Sequence, residues 1–162
     1  MTGTMEKMEV HQLGLLHRAF SVFIFDKKGE LLLQQRALDK YHSAGKWTNT
    51  CCSHPAPGEK AIDAAHRRLN EEMGMVCDLH YAFNFIYKAD MEHGLVEHEF
   101  DHVFFGISDV KPAPEPKEVA AYKYMSMDPL AKDLQLNPGD YTEWLKICFN
   151  RVLESYSKTF QL

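Results

Sequence analysis

Between Trp47 and Pro55 the chain reads Trp-Thr-Asn-Thr-Cys-Cys-Ser-His-Pro, so two thiols and an imidazole fall close together. An ionised cysteine is a strong nucleophile and base, and histidine is the commonest metal ligand, so the segment invites reading as chemistry. In an extended segment side chains alternate faces. Cys52 and His54 would then share one face, with Cys51 looking away from both. The plainer alternative treats both thiols as small buried hydrophobes beside a loop. A second group of residues sits where apolar ones would be expected. Within a strand-like run, Glu97, Glu99, Asp101 and Val103 take one face, which sets two carboxylates side by side. Unless solvated, such a pair needs a cation or a proton between its members. A third anomaly is Arg68 with Glu72, on the small-residue edge of a helix face formed by Ala61, Ile62, Ala65, Leu69 and Met73. Exposed Arg-Glu helix pairs are common, but one set beside alanines on a packing face suggests a site.

The metal candidates are His11, His17, His54, Glu97 and Glu99. Three neutral imidazoles and two carboxylates fill most of an octahedral shell and suit Mn²⁺, Mg²⁺ or Zn²⁺. The chain holds nine histidines, which makes chance clusters easy. His42, His66, His80, His93, His98 and His102 are read as structural or solvent-facing.

These residues must be positioned by ordinary elements. Residues 18–25 and 31–36 are rich in β-formers and flank the turn sequence Asp26-Lys27-Lys28-Gly29, which predicts a hairpin. A polar loop over 37–46 carries Lys40 and follows Arg36. Pro55-Ala56-Pro57-Gly58 breaks the chain before a helix over 59–73, stopped by Gly74. Strands are predicted over 77–88, 95–108 and 118–125. A short Pro-rich stretch over 111–117 is too brief to separate domains. One helix starts near Ser126-Met127-Asp128-Pro129, and a last runs over about 141–157 with Trp144, Cys148, Val152 and Tyr156 on one face. Strand pairs interleaved with a few helices indicate an α+β or mixed-sheet architecture.

At 162 residues, 45% hydrophobic and 25% charged, the chain fits one domain spanning 1–162, with 1–16 as an arm contributing to the site. A net charge of −5 argues against nucleic acid as a partner and leaves room only for a local basic pocket. Four scattered cysteines match neither a zinc ribbon nor a secreted disulfide framework. No apolar run is long enough to cross a bilayer, and residues 1–10 have no signal-like core. A cytoplasmic monomer is the expectation.

Four stretches carry a more specific resemblance: Gly14-Leu15-Leu16-His17-Arg18-Ala19-Phe20-Ser21, Trp47 to Pro55, Arg67-Arg68 through Glu71-Glu72-Met73-Gly74, and Glu97-His98-Glu99. In this order and spacing they resemble the type I isopentenyl-diphosphate delta-isomerases of the Nudix-like superfamily, which implies an α+β fold with a Nudix-like mixed β-sheet flanked by helices. The Nudix hydrolase pattern, Gly-x5-Glu-x7-Arg-Glu-x-x-Glu-Glu-x-Gly, is met at Glu59, Arg67, Glu71, Glu72 and Gly74. Ser53 replaces its first glycine and Arg68 one glutamate. Hydrolases need clustered carboxylates for metal, whereas arginine suits a diphosphate through its bidentate fork. Pyrophosphate hydrolysis is therefore the runner-up, and a silent diphosphate- or metal-binding module comes third.

The resemblance implies roles for individual residues. Cys52 is the catalytic thiol and Glu99 the catalytic carboxylate, assisted by Tyr87. One divalent metal (Mg, Mn or Zn) is held by His11, His17, His54, Glu97 and Glu99. A second ion, Mg²⁺, is associated with the diphosphate through Glu72 and the Cys52 carbonyl. Lys7, Arg36, Lys40 and Arg68 bind the diphosphate of a small isoprenoid substrate, and Trp144 faces a developing carbocation.

Overall fold

The computed structural model describes residues 3–160. Its frame is a mixed, seven-stranded sheet with helices on both faces. Strand β1 (His17–Phe25) lies parallel to β6 (Val96–Ile107) from His17↔Glu99 to Phe25↔Ile107, and β5 (His80–Asp90) completes that side antiparallel to β6. The β1/β6 register brings His17 level with Glu99.

The predicted hairpin is present only at its root. Strand β2 (Leu31–Arg36) pairs with β1 at Phe25↔Leu31 and then departs to pair with β7 (Val119–Met125) and with β3 (Trp47–Thr48). The vacated edge of β1 is taken by β4 (Cys51–Ser53), through Phe20↔Ser53, Ser21↔Cys52 and Val22↔Cys51. Backbone groups in the resulting gap need partners, since an unpaired buried donor or acceptor is costly. The 48–50 side chains supply them. Thr50 Oγ1 accepts from Ile24 N at 2.9 Å and donates to the Leu32 carbonyl at 2.6 Å, and the Asn49 amide donates to the carbonyls of Val22 and Cys51.

Two helix layers close the core. Helix α2 (Ala61–Met73) covers one face, burying Ala64, Ala65, Leu69 and Met73 against Phe20, Val22, Ile24, Leu32 and Cys51. Helices α3 (Met127–Leu136) and α4 (Glu143–Phe160) cover the other, with Trp144, Cys148, Val152 and Tyr156 buried as their four-residue spacing predicts. Gly74 ends α2 at φ 61°, and a Cβ there would lie 2.6 Å from the Ala113 carbonyl, so conformation and contact both require glycine. Strand β5 starts three residues later than expected, at His80. The arm contains α1 (Lys7–Leu13), ended by Gly14 in the left-handed region at φ 60°. His98 reaches the Gly14 carbonyl at 3.1 Å, fastening the arm to β6.

Candidate active site

On the face covered by α4, alternation along β6 turns Glu97, Glu99 and Asp101 inward, as expected, while Val103 and Phe105 continue that face into the core. Above them the α1 arm, the start of β1 and the end of β4 deliver three imidazoles. His11 Nδ1 lies 2.6 Å from the Lys7 carbonyl and His17 Nδ1 2.7 Å from that of Leu15. A ring that donates from Nδ1 to a carbonyl, as a neutral imidazole, presents a bare Nε2 lone pair. Those atoms converge on one carboxylate oxygen: Glu99 Oε1 is 2.9 Å from His54 Nε2, 3.4 Å from His17 Nε2 and 3.8 Å from His11 Nε2. His17 Nε2 and His54 Nε2 are 3.2 Å apart, and buried His11 Nε2 has no hydrogen-bond partner. Lone pairs aimed at each other and at a carboxylate form a set of donors that fits a divalent cation. All four donor atoms lie within 4.8 Å of one another.

Glu97 does not share that set. It belongs to a second trio with His11 and His42, whose Nε2 is 3.4 Å from Glu97 Oε1. His42, read from sequence as structural or solvent-facing, is buried inside the site, and burial together with Arg36, Lys7 and His11 lowers its pKa to about 3. It is therefore a neutral donor. No spacing rule marks it, because it comes from the irregular loop over 37–46.

The Tyr87 hydroxyl joins the two carboxylates, 2.9 Å from Glu97 Oε2 and 2.8 Å from Glu99 Oε2. One hydroxyl proton serves only one of them. Burial, then the neighbouring Glu99 charge, pushes Glu97 up to about 8, while the three histidines hold Glu99 well below the usual carboxylate range despite its burial. The two carboxylates are thus pushed apart in acidity, Glu97 up and Glu99 down.

Facing this pair is an open cleft lined by Cys52, Tyr87, Glu99, Trp144, Lys7 and Arg36. Cys52 packs toward the α4 side and Cys51 is fully buried toward α2, so the adjacent thiols do face opposite ways. Burial pushes the Cys52 thiol up; Arg36 opposes this, and Glu72, Glu97 and Glu99 add to it. At rest the group is a thiol, not the thiolate that sequence chemistry calls for. Trp144 is held by its Nε1 donating to Asn49 Oδ1 at 3.1 Å, and the Arg36 guanidinium lies 5.3 Å from its ring centroid. Asn49, although it lies within Trp-Thr-Asn-Thr-Cys-Cys, carries no sequence signal for this role.

The remaining expected residues lie elsewhere. Lys40 and Arg68 do not line the cleft. Lys40 pairs with Glu118, while Arg68 holds Glu72 at 2.6 Å and Glu71 at 2.8 Å. Glu72 is buried, accepts from Gln34 Nε2 at 3.0 Å, and belongs to neither His/Glu cluster.

A family model described as NUDIX domain matches residues 15–145, so the fold and the site belong to a Nudix-family protein. The fold is shared with a MutT protein from Methanosarcina mazei Go1 (TM-score 0.71, 19% identity, 91% of this chain and 96% of that one). It is also shared with a MutT NUDIX hydrolase from Burkholderia pseudomallei (TM-score 0.66, 19% identity, 85% and 98%). Sequence similarity is far higher to two other proteins. The isopentenyl-diphosphate Delta-isomerase of Pectobacterium atrosepticum is 50% identical over 93% of this chain and 84% of its own length. Isopentenyl-diphosphate Delta-isomerase 1 of Aromatoleum aromaticum is 51% identical over 93% and 85%. Within the Nudix proteins, the chain belongs to the isopentenyl-diphosphate Delta-isomerase family.

Proposed function

We propose that the chain interconverts isopentenyl diphosphate and dimethylallyl diphosphate. The observation that carries this reading is the convergence of Cys52, Trp144 and the hydrogen-bonded Tyr87–Glu99 pair on one cleft. Moving a double bond from the 3,4 to the 2,3 position adds a proton at the terminal carbon and removes one from C2, through tertiary cationic character. An acid and a base must therefore flank the substrate. Tyr87, hydrogen-bonded to Glu99, passes the first proton to the terminal carbon and is reprotonated through Glu99, and Cys52, as thiolate, accepts the second from C2. The Trp144 π-face stabilises the positive charge between them, an attraction of about 2 kcal/mol or more when desolvated. Water has to be kept out, because it would trap the cation as an alcohol.

His11, His17, His54 and Glu99, with Glu97 and His42 beside them, would hold one divalent metal, Mg²⁺, Mn²⁺ or Zn²⁺. When bound, such an ion neutralises the paired carboxylates. Cys52 then has fewer negative neighbours raising its pKa, and ionises more readily. Lys7, Arg36, Lys40 and Arg68 would bind the diphosphate, and Glu72 with the Cys52 carbonyl would hold the Mg²⁺ associated with it. A monomer in the cytoplasm is consistent with this reading, and among the described residues no helix is long and apolar enough to cross a membrane.

The test is to incubate the purified protein and divalent metal with isopentenyl diphosphate in heavy water, following carbon positions by NMR and phosphate by a colorimetric assay. Equilibration to dimethylallyl diphosphate with deuterium at the new methyl group is expected. Release of phosphate without isomerisation would favour the hydrolase instead.

A further inference from the structure

Four cations are assigned to the diphosphate, and the structure splits them into two pairs. Lys7 and Arg36 line the cleft, whereas Lys40 and Arg68 are joined to each other through Glu118. Glu118 is the residue just before β7, and it is held close to the cleft wall: its carbonyl accepts from Ala37 N, next to Arg36, at 3.0 Å. Its Oε2 pairs with Lys40 Nζ and its Oε1 is 3.4 Å from Arg68 Nη2. Arg68 also holds Glu71 and Glu72. Arg67 shares Glu71 and pairs with Glu59, so three cations face four carboxylates in this cluster, and an added anion gains little from Lys40 and Arg68 while Glu118 stays in place.

We propose that Glu118 is a specificity-determining residue, a tethered carboxylate that competes for Lys40 and Arg68 and yields to a diphosphate ester but not to a monophosphate. This rests on the reading of Lys40 and Arg68 as diphosphate-binding residues. A group fixed on the same chain competes at an effective concentration on the order of millimolar. A ligand with one phosphoryl group replaces one anion by another of similar charge at that site. A diphosphate can engage Lys7 and Arg36 with one phosphoryl group and displace Glu118 with the other, so the cost of displacement is met by contacts that a monophosphate lacks. Both partners can move: Lys40 sits on the irregular 37–46 loop, and the side chains of Glu118 and Lys40 are 26% and 21% exposed, so a displaced carboxylate can return to water.

The experiment measures binding of inorganic phosphate and of inorganic diphosphate by calorimetry, in the presence of Mg²⁺, to wild type and to Glu118→Gln. The amide keeps the shape and removes the charge. Phosphate affinity is expected to rise about tenfold in the variant and diphosphate affinity by less, so the ratio between the two narrows. An unchanged ratio, or a loss of affinity for both ions, would make Glu118 a structural clamp and overturn the proposal. Circular dichroism checks the fold, and Glu118→Ser replaces the glutamine variant if that one misfolds. Wild type that bound neither ion would remove Lys40 and Arg68 from the diphosphate site and take this proposal with them. Wild type that isomerises and binds diphosphate, with an unaltered ratio in the variant, would sink this proposal alone.

Discussion

Cys51 and Cys52 differ by one position and by a whole environment. Burial, then the Glu72 carboxylate, pushes Cys51 well above the ordinary thiol range on the α2 side, where it packs as a small apolar group. Cys52 projects into the cleft. Cys52→Ala should therefore lower turnover by roughly 10²–10⁴-fold, the scale of one acid–base group. Cys51→Ala should keep most activity and cost about 1 kcal/mol of stability. Steady-state rates and denaturant melts of the two variants decide, and an inactive Cys51→Ala beside an active Cys52→Ala would reverse the assignment. This division was legible in the sequence because a period of two needs only local strand geometry. Asn49 was not. It lies between Trp144, far along the chain, and the carbonyls of Val22 and Cys51, a set of partners created when β2 leaves β1 and β4 takes its edge. His42 escaped for the same reason, since a loop residue has no periodicity to betray which way it faces.

Among the elements, α1 with its Gly14 stop and the loop entering α2 hold residues of the site to the frame. Gly14 is left-handed, and a Cβ there would meet Val96 at 3.3 Å. Gly14→Ala should strain that turn by about 1–2 kcal/mol and loosen the arm carrying Lys7 and His11. The Michaelis constant and the metal requirement should both rise while the melting temperature of the core barely moves. Faster amide exchange confined to residues 3–16 would locate the effect, and unchanged exchange there would refute it. At the entry to α2, Glu59 accepts from Ala56 N at 2.7 Å and grips Arg67 through two bonds of 2.8 Å. The Arg67 hydrogen bonds, aided by Ala56 N, lower its pKa to about 2. A depressed carboxylate stabilises the fold above its unfolded pKa and loses that contribution as pH falls through the folded one. The window here runs from about 4.5 down to about 2. Wild type should thus lose stability across this range more steeply than Glu59→Gln, which is less stable at neutral pH, and urea melts at several pH values would show parallel curves if the prediction is wrong. Helix α2 itself could be read from its apolar stripe and from Gly74, and α4 from its four-residue repeat. The hairpin is shorter than its sequence predicts, because turn chemistry and β propensity locate two strands but not where they stop pairing.

At the scale of the whole molecule, the sheet is built around an electrostatic conflict. Residues 17–25 and 96–107, far apart in sequence, lie parallel so that His17 and Glu99 meet, and α1 and β4 then crowd His11 and His54 onto the same carboxylate oxygen. That the carboxylates and histidines would gather was suggested by residue type. That Glu97 would separate from Glu99 and turn toward His42 depends on tertiary placement that no spacing encodes. Buried donors without partners destabilise the folded chain, and an ion that binds only the folded state stabilises it by mass action, about 2.7 kcal/mol at a hundred times its dissociation constant. For a chain of this size that corresponds to roughly 5–10 °C in melting temperature. Chelator-treated protein should melt lower by about this amount and recover on addition of Mn²⁺, Mg²⁺ or Zn²⁺. Glu99→Gln, which weakens the shared oxygen while keeping its shape, should blunt the recovery, whereas His66→Gln, half-buried on α2 and in neither His/Glu cluster, should leave it intact. Scanning calorimetry of the three proteins with and without metal makes the comparison independent of turnover. A melting temperature indifferent to metal in wild type would mean that the converging lone pairs of His11, His17 and His54 are satisfied in some other way.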